Sequence, residues 1–359
     1  MNVEARKEEH VRICLKGDCV ESGSPLFEEV YLIHEALPEV NLDEVDTATE
    51  FLGHEFSAPI IITAMTGGFP LAEKINGAIA EVVEELGLGM GVGSQRAAIE
   101  REELKRTYSI AREKAPNAFI IANIGASQLG LGYGREELVK AIDMVRADAL
   151  AIHLNPLQEC LQVEGEPKYK GILNKIKEYS GYLPVPVIAK ETGAGISKEV
   201  AESLVKAGVA AIDVGGLGGT NFAIIEGLRA KERGKKLYEV MGFTFSNWGI
   251  PTAISIIEVR TVTPTLPLVA TGGIRSGLDI AKAIALGADM VGIGLPVIRA
   301  LMKDGREGLR ELINRYILEL KIAMFLTGSS KLSDLRKKPL VLSPRIVSWM
   351  EQRGLKLRR

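Results

Sequence analysis

Two rhythms alternate along the chain. Short, β-rich apolar runs occur at Pro59–Ala64, Gly89–Val92, Phe119–Ile124 and Ala149–Leu154, and again at Val187–Glu191, Ala211–Val214, Leu268–Thr271 and Met290–Ile293. Between them the apolar positions take helical spacing, as in Ile75–Leu86, Glu136–Val145, Ser197–Ala207 and Thr252–Arg260. Strands buried on both faces read as unbroken apolar runs, and their alternation with helices implies a parallel sheet. Eight strand–helix units between residues 59 and 293 match the roughly 250 residues of a closed barrel. An open doubly wound sheet offers one crevice and puts its glycine-rich turn after the first strand, whereas here polar residues follow nearly every strand. The expected fold is α/β, a (β/α)8 TIM barrel.

Three segments fall outside the rhythm. Residues 1–58 form an N-terminal extension carrying Arg6-Lys7-Glu8-Glu9-His10, and residues 306–359 add a C-terminal helix, Leu309–Leu326, and a tail. The third, Leu217–Asn247, is a long insertion after the sixth strand with a charged middle, Arg229 to Lys236; a lid and a disordered spacer are both open readings. None has the makings of a separate unit, so residues 1–359 are expected to form one domain, with the barrel over 59–305. The basic end, Arg353 to Arg359, reads as a solvated tail.

Composition narrows the class of protein. With 46% hydrophobic and 25% charged residues the chain is ordinary for a globular protein. Its longest apolar runs, such as Ala58 to Met65, fall well short of the ~18 residues of a membrane span. Arg6 to Glu9 stand where the apolar core of a signal peptide would be. A net charge of −2 argues against a general nucleic-acid binder. Cys14, Cys19 and Cys160 are too few and too oddly spaced for a disulfide framework or a zinc site, which points to a reducing cytoplasm.

Chemistry in such barrels sits just past the C-terminal ends of the strands. The seventh strand runs into Gly272-Gly273-Ile274-Arg275-Ser276-Gly277, and the eighth into Gly294-Leu295 at the start of another helix. Glycines let backbone amides approach an anion, and an arginine adds a charged fork, so the paired loops suit a phosphate. A plain strand–turn–helix connection explains the glycines but not two such loops in tandem with an arginine. Reading the earlier strand ends in order gives Met65-Thr66-Gly67-Gly68, Gly93-Ser94-Gln95-Arg96, Asn123, then His153, Asn155, Gln158 and Glu159. After these come Lys190-Glu191-Thr192 and Gly215 to Thr220. This ring suits a phosphorylated cofactor together with an anionic substrate. Lys190 ends an apolar strand, so its ammonium is expected in the pocket; the plain alternative is an ion pair with Glu191. His153 has a bland reading as a core histidine, Glu159 as a solvated loop acid, and Arg6-Lys7 as a solvated terminus. Ser-His-Asp groupings, HExxH helices, paired-cysteine metal spacings and GxGxxG turns are absent, so a nicotinamide cofactor would visit rather than reside.

Taken together, Arg6-Lys7-Glu8-Glu9-His10, Ala64-Met65-Thr66-Gly67-Gly68, Gly93-Ser94-Gln95-Arg96, Asn155-Pro156-Leu157-Gln158-Glu159 and Thr271 to Gly277 resemble the type 2 isopentenyl-diphosphate Δ-isomerase family. The resemblance runs from the N-terminal arm to the C-terminal helix. It implies an enzyme that interconverts isopentenyl and dimethylallyl diphosphate, with reduced FMN, magnesium and NADPH as transient reductant. By the same resemblance Ala64, Met65, Thr66, Ser94, Asn123, Lys190, Thr220, Gly273, Ile274, Arg275, Gly294 and Leu295 would contact FMN. Arg6, Lys7, Ser94, Gln95, Arg96, His153, Asn155 and Gln158 would face the substrate. Glu159 would hold magnesium, and Gln158, Lys190 and His153 would be catalytic. The family often has a serine after the sixth strand where this chain has Gly215, which removes a hydroxyl contact to FMN that backbone amides of Gly215 to Thr220 would have to replace. The expected partners are a small diphosphate and further copies of the chain, with no nucleic acid and no membrane.

Moving a double bond needs a proton added at one carbon and another removed from the allylic position, and the cation formed must be kept from water. The ring offers no pair of strong acids aimed at a hydrocarbon, so the flavin would act as an acid–base group. The nearest rival is an FMN-dependent 2-hydroxy-acid oxidase or dehydrogenase, but no histidine follows His153 to serve as its base. A nucleotide dehydrogenase would need a loop cysteine, and Cys160 lies outside any glycine-rich loop. A flavin-binding sensor without catalysis is the reading from another class.

Overall fold

The structure, a computed structural model, describes residues 3–16 and 20–359. Eight parallel strands close into a barrel in chain order: Ile60–Ile62, Gly89–Gly91, Phe119–Gly125, Ala149–Leu154, Val187–Glu191, Ala211–Asp213, Leu268–Thr271 and Met290–Ile293. The eighth pairs with the first. Every residue of the third strand is buried, as expected when helices cover one face and barrel contents the other. The barrel and its helices are those the apolar rhythm predicts. Serine or asparagine side chains cap the outer helices that begin at Lys198, Phe222 and Gly277, each accepting a backbone N–H of the first turn.

The N-terminal extension does more than the sequence suggests. Its hairpin, Thr49–Phe51 with His54–Phe56, closes the foot of the barrel. There Phe51 and Phe56 pack on Phe119 with ring centroids 6.0 and 5.6 Å away, in one cluster with Ile61, Ile121, Ile188 and Val269. A further strand, Val30–Leu32, pairs antiparallel with Leu340–Leu342. The arm itself is a helix, Val3–Leu15.

Two expectations need correction. The insertion after the sixth strand is no spacer but a helical hairpin, Phe222–Glu232 and Lys236–Thr244, closely packed where a Cβ on Gly242 would stand 2.6 Å from the Gly227 Cα. The helices at the C-terminal end follow expectation: one opens at Leu295 and breaks at Gly305, whose φ of 68° only glycine takes without strain, and a second runs on to Phe325. The basic end is tied down rather than solvated. Arg353 pairs with the fully buried Glu258 at 3.1 Å, and Arg359 donates to the Lys338 carbonyl at 2.8 Å. Cys14 and Cys160 are free thiols, and Cys19 lies outside the described residues. No helix among the described residues is long and apolar enough to cross a membrane.

Candidate active site

Strand register builds the floor of the mouth. Gly125 lies beside His153, His153 beside Lys190, and Lys190 beside Asp213, so four neighbouring strands present one level of polar positions. Lys190 Nζ lies 3.0 Å from Asp213 Oδ2 and donates to the Glu191 carbonyl at 3.1 Å. Its partner is therefore Asp213 and not Glu191. The Glu191 carboxylate turns instead onto the backbone N–H groups of Gly193, Ala194 and Gly195, and burial pushes its pKa up to about 7. Asn123 donates through Nδ2 to the Val92 carbonyl, which leaves its Oδ1 to accept from His153 Nδ1 at 2.8 Å. The Nε2 of His153 then carries a lone pair. Burial first, then the charges of Lys190, Lys7 and Arg6, push the imidazole down to about 3, so it stays neutral.

A second wall comes from the arm. Arg6, Lys7, His10, Val11 and Cys14 lie at helical spacing on one face of Val3–Leu15 and line the same cavity as Met65, Thr66, Ser94, Asn123, Gln158 and Lys190. Ion pairs hold the helix across the mouth. On one side Glu4 meets Arg101 at 2.9 Å; on the other Glu9 meets Arg229 at 3.1 Å. His10 lies 2.8 Å from Glu226 Oε1, and the same oxygen accepts from Gln158 Nε2 at 3.2 Å. Burial alone would raise the pKa of Glu226, but the charges and hydrogen bonds of His10 and Arg229 outweigh it and hold the acid at about 2. Burial lowers the pKa of Arg6, opposed by Glu164 and Glu226. Burial and then Arg6 push Lys7 down to about 7, and burial raises the Cys14 thiol to about 11.

Gln158 is fixed from both ends, since its Oε1 accepts from Asn155 Nδ2 at 3.1 Å. The same Nδ2 reaches Glu159 Oε1 at 3.1 Å, while Glu159 Oε2 accepts the Glu166 N–H at 2.8 Å. Among the described residues no three His, Cys, Asp or Glu side chains form a ready metal cluster, so Glu159 is not part of one.

Most of the expected site residues line this one cavity: Arg6, Lys7, Ala64, Met65, Thr66, Ser94, Arg96, Asn123, His153, Asn155, Gln158, Glu159, Lys190, Thr220, Gly273, Arg275, Gly294 and Leu295. Two do not. Gln95 is fully buried behind the wall: its amide donates to the Ala141 carbonyl at 2.8 Å and accepts the Asn123 N–H at 2.9 Å. Successive residues of the tight turn point to opposite sides, which sends Ser94 and Arg96 to the mouth and Gln95 to the core. Ile274 likewise packs into the core, 1% exposed. Two arginines reach the cavity already engaged. Arg275 is ion-paired to Glu21, and Arg96 lies 2.7 Å from Glu100. Sequence reasoning missed His10, Asp213, Glu226 and Glu21. Only His10 carried a signal, four positions beyond Arg6 on the arm.

The comparisons with known proteins bear on the same architecture. Residues 168–342 match the model of the FMN-dependent dehydrogenase family. Among solved structures, a lactate oxidase from Pediococcus acidilactici aligns with a TM-score of 0.66 at 18% identity, over 95% of this chain and 93% of that one. A mandelate oxidase bearing a monooxide FMN adduct aligns at 0.62 and 18%, over 94% and 100%. These share the barrel. Similarity over the whole chain is much higher to proteins named isopentenyl-diphosphate delta-isomerase. The one from Ignicoccus hospitalis is 50% identical, covering 99% of this chain and 98% of its own. Those of Sulfurisphaera tokodaii and Archaeoglobus fulgidus are 49% and 48% identical, each covering 99% of this chain and 96% and 100% of their own. A barrel whose mouth is crossed by its own arm, with half its sequence shared end to end with these enzymes, belongs to the isopentenyl-diphosphate delta-isomerase family.

Proposed function

We propose that the cavity holds FMN against the strand ends and a diphosphate under the arm, and that the enzyme interconverts isopentenyl and dimethylallyl diphosphate with reduced FMN and magnesium. One observation carries this reading: the cations of the arm and the Lys190 floor open into the same space. The residues present fit a flavin. The hydroxyls of Thr66 and Thr271, in the cavity wall and shielded from solvent, find no hydrogen-bond partner among the described residues, as expected of groups that await a ligand. Gly272 and Gly273 hold φ of 115° and 77°, and their loop lies so close to the preceding one that a Cβ on Gly273 would stand 2.7 Å from the Gly218 carbonyl oxygen. Backbone amides of Gly273, Gly294 and Leu295, the last two opening a helix, would take the phosphate. Ala64, Met65, Thr66, Ser94, Asn123 and Thr220 would line the ring and its side chain, with Lys190 at the ring's electron-rich edge. Gly215 to Thr220 would offer backbone where a family serine is missing.

Reduced FMN, when bound, supplies a proton at N5 and an electron-rich face beside a developing cation; NADPH is the proposed transient reductant. The protein's own groups do the rest. Arg6, Lys7 and Arg96 would bind the diphosphate, and Glu159 would hold magnesium, which would supply positive charge to the diphosphate. Gln158, fixed by Asn155 and Glu226, and the neutral His153 would position the hydrocarbon end while adding no charge to it. Lys190, paired with Asp213, would balance the negative charge of the reduced ring. The arm would exclude water from the carbon that carries the transient charge.

A 2-hydroxy-acid oxidase would need a base beside the substrate carbon. His153, held at about 3, is a poor one, and the His10 ring is spent on Glu226. The decisive test supplies isopentenyl diphosphate, FMN, magnesium and NADPH or dithionite, and follows dimethylallyl diphosphate. Isomerisation that requires reduction supports the reading; turnover of 2-hydroxy acids with oxidised flavin, and none of the diphosphate, overturns it.

A further inference from the structure

Lys7 does not hang free in the cavity. Its ammonium donates to the Tyr108 hydroxyl at 2.5 Å and to the Ser94 carbonyl, and it sits 5.1 Å from the centre of the Tyr108 ring. The Tyr108 hydroxyl gives its own proton to the same Ser94 carbonyl at 2.8 Å. Two of the three ammonium N–H groups are thus spent on a fixed seat in the barrel wall, and one is left for the cavity that Lys7 lines.

The seat is built into the core. Tyr108 is fully buried, on the helix Arg106–Lys114, which packs against the helix Pro70–Glu85. The loop after the first strand makes room for it with glycines: a Cβ on Gly67 would stand 2.0 Å from the Tyr108 ring, and one on Gly68 2.8 Å from its hydroxyl. Neighbouring bonds lock loop and helix together, since Gly68 N–H donates to Thr107 Oγ1 at 2.8 Å and Asn76 Nδ2 donates to the Thr107 carbonyl at 2.8 Å. Burial keeps the phenol protonated, so it stays a neutral dipole able to accept from the ammonium. Of the arm's two cavity cations, only Lys7 has a seat of this kind. Among the described residues Arg6 makes no hydrogen bond or ion pair.

We propose that Tyr108 is a positioning residue for diphosphate binding: it seats Lys7 of the arm against Ser94 and aims the remaining ammonium N–H at the anion. The proposal rests on the reading of the arm as the diphosphate clamp, and adds a residue that never touches substrate. A hydroxyl and a carbonyl converging on one atom suit a compact ammonium with three donors better than a planar guanidinium, so the seat also explains why lysine stands at this position.

The test is a cycle of variants in the full chain saturated with FMN, titrated with inorganic pyrophosphate by calorimetry. Lys7→Ala should weaken binding by about 30-fold or more, and Tyr108→Phe, which keeps the ring, by about five- to tenfold. The double variant should bind no more weakly than Lys7→Ala alone, because Tyr108 acts only through Lys7. With isopentenyl diphosphate the Tyr108→Phe loss should appear in KM more than in kcat. Lys7→Arg tests the seat without touching the core: it keeps the charge, and should lose nearly as much affinity as Lys7→Ala. If Lys7→Ala binds pyrophosphate as tightly as the wild type, the clamp reading fails and the seat falls with it. If Lys7→Ala is weak but Tyr108→Phe or Lys7→Arg is normal, or if Tyr108→Phe costs the same with and without Lys7, the seat alone is overturned.

Discussion

The rim made by the sixth and seventh strand loops and the wall made by the arm face each other across one cavity, yet they are held by opposite means. Apart from the Arg275–Glu21 pair, rim contacts are short and mostly backbone: Gly216 N–H donates to the Thr271 carbonyl at 2.7 Å, and Thr252 Oγ1 to the Gly272 carbonyl at 2.7 Å. Arm contacts are charged and distant in sequence: Glu9 and His10 reach across to Arg229 and Glu226, Arg12 to Glu232, and Glu4 to Arg101. A backbone rim, buttressed by residues 20–25 of the extension, has a fixed shape, which suits a resident cofactor. The pairs at the edge of solvent, Arg12 with Glu232 and Glu4 with Arg101, are individually worth ~0–1 kcal/mol and yield to salt and acid, which suits a wall that must admit a substrate. The buried Glu226 and Arg229 anchor it.

The sharpest way to break the comparison is to remove the wall. Deleting residues 1–10 takes away Arg6 and Lys7, each a charged contact to the diphosphate worth about 2 kcal/mol, so kcat/KM should fall by about a thousandfold. The protein should stay folded and yellow. A truncated protein with full activity would place the anion elsewhere, with Arg96 as its principal clamp.

Next in size is Glu226→Gln. Its carboxylate is 1% exposed, neutralises Arg229 and lies 2.8 Å from the His10 ring, so replacement should cost about 3 kcal/mol, read as a lower Tm. The held-down pKa sets the sign with pH. The stabilisation is complete above the usual carboxylate value of 4.5 and is lost as pH falls toward about 2. Between those limits the wild type should lose stability that Glu226→Gln has already lost, so the two melting curves should converge in acid; a constant gap would break the assignment.

Glu159→Gln keeps the shape and removes the charge. With few protein groups on the metal, the magnesium concentration for half-maximal rate should rise about tenfold while FMN affinity holds. An unchanged metal dependence would make Glu159 a structural acceptor for Asn155 and the Glu166 N–H. Smallest is Lys190→Ala on the floor, which should lower the flavin reduction potential by about 30–60 mV and leave Asp213 without its partner. A normal potential in a folded, flavin-bound variant would separate Lys190 from the ring.

The barrel was legible because strands buried on both sides carry their pattern in every residue, and because each glycine-rich loop follows its strand directly. Arg6, Lys7 and the Asn155 to Glu159 stretch were legible as motifs. Other features depend on what the fold brings together. Asp213 becomes the partner of Lys190 only through the register of two strands, and nothing in the sequence near Lys190 points past Glu191. Glu226 looks like any acid on a charged helix until the arm and Arg229 close over it. Gln95 shared a motif with two mouth residues, but a turn of alternating direction sends it inward. The foot hairpin, two strands of three residues, is too short for its alternation to stand out.

The pairing of Val30–Leu32 with Leu340–Leu342 has a consequence for the order in which the molecule is made. Glu29 and Ser343, bonded at the end of that ribbon, are 314 residues apart. During synthesis the barrel strands can close in sequence, but the early ribbon strand has no partner until all of them have emerged. The ribbon strand is therefore among the first segments made and among the last paired. The arm's own partners, Arg101, Glu226 and Arg229, emerge earlier, so the wall can be set before the ribbon ties the two ends of the chain together.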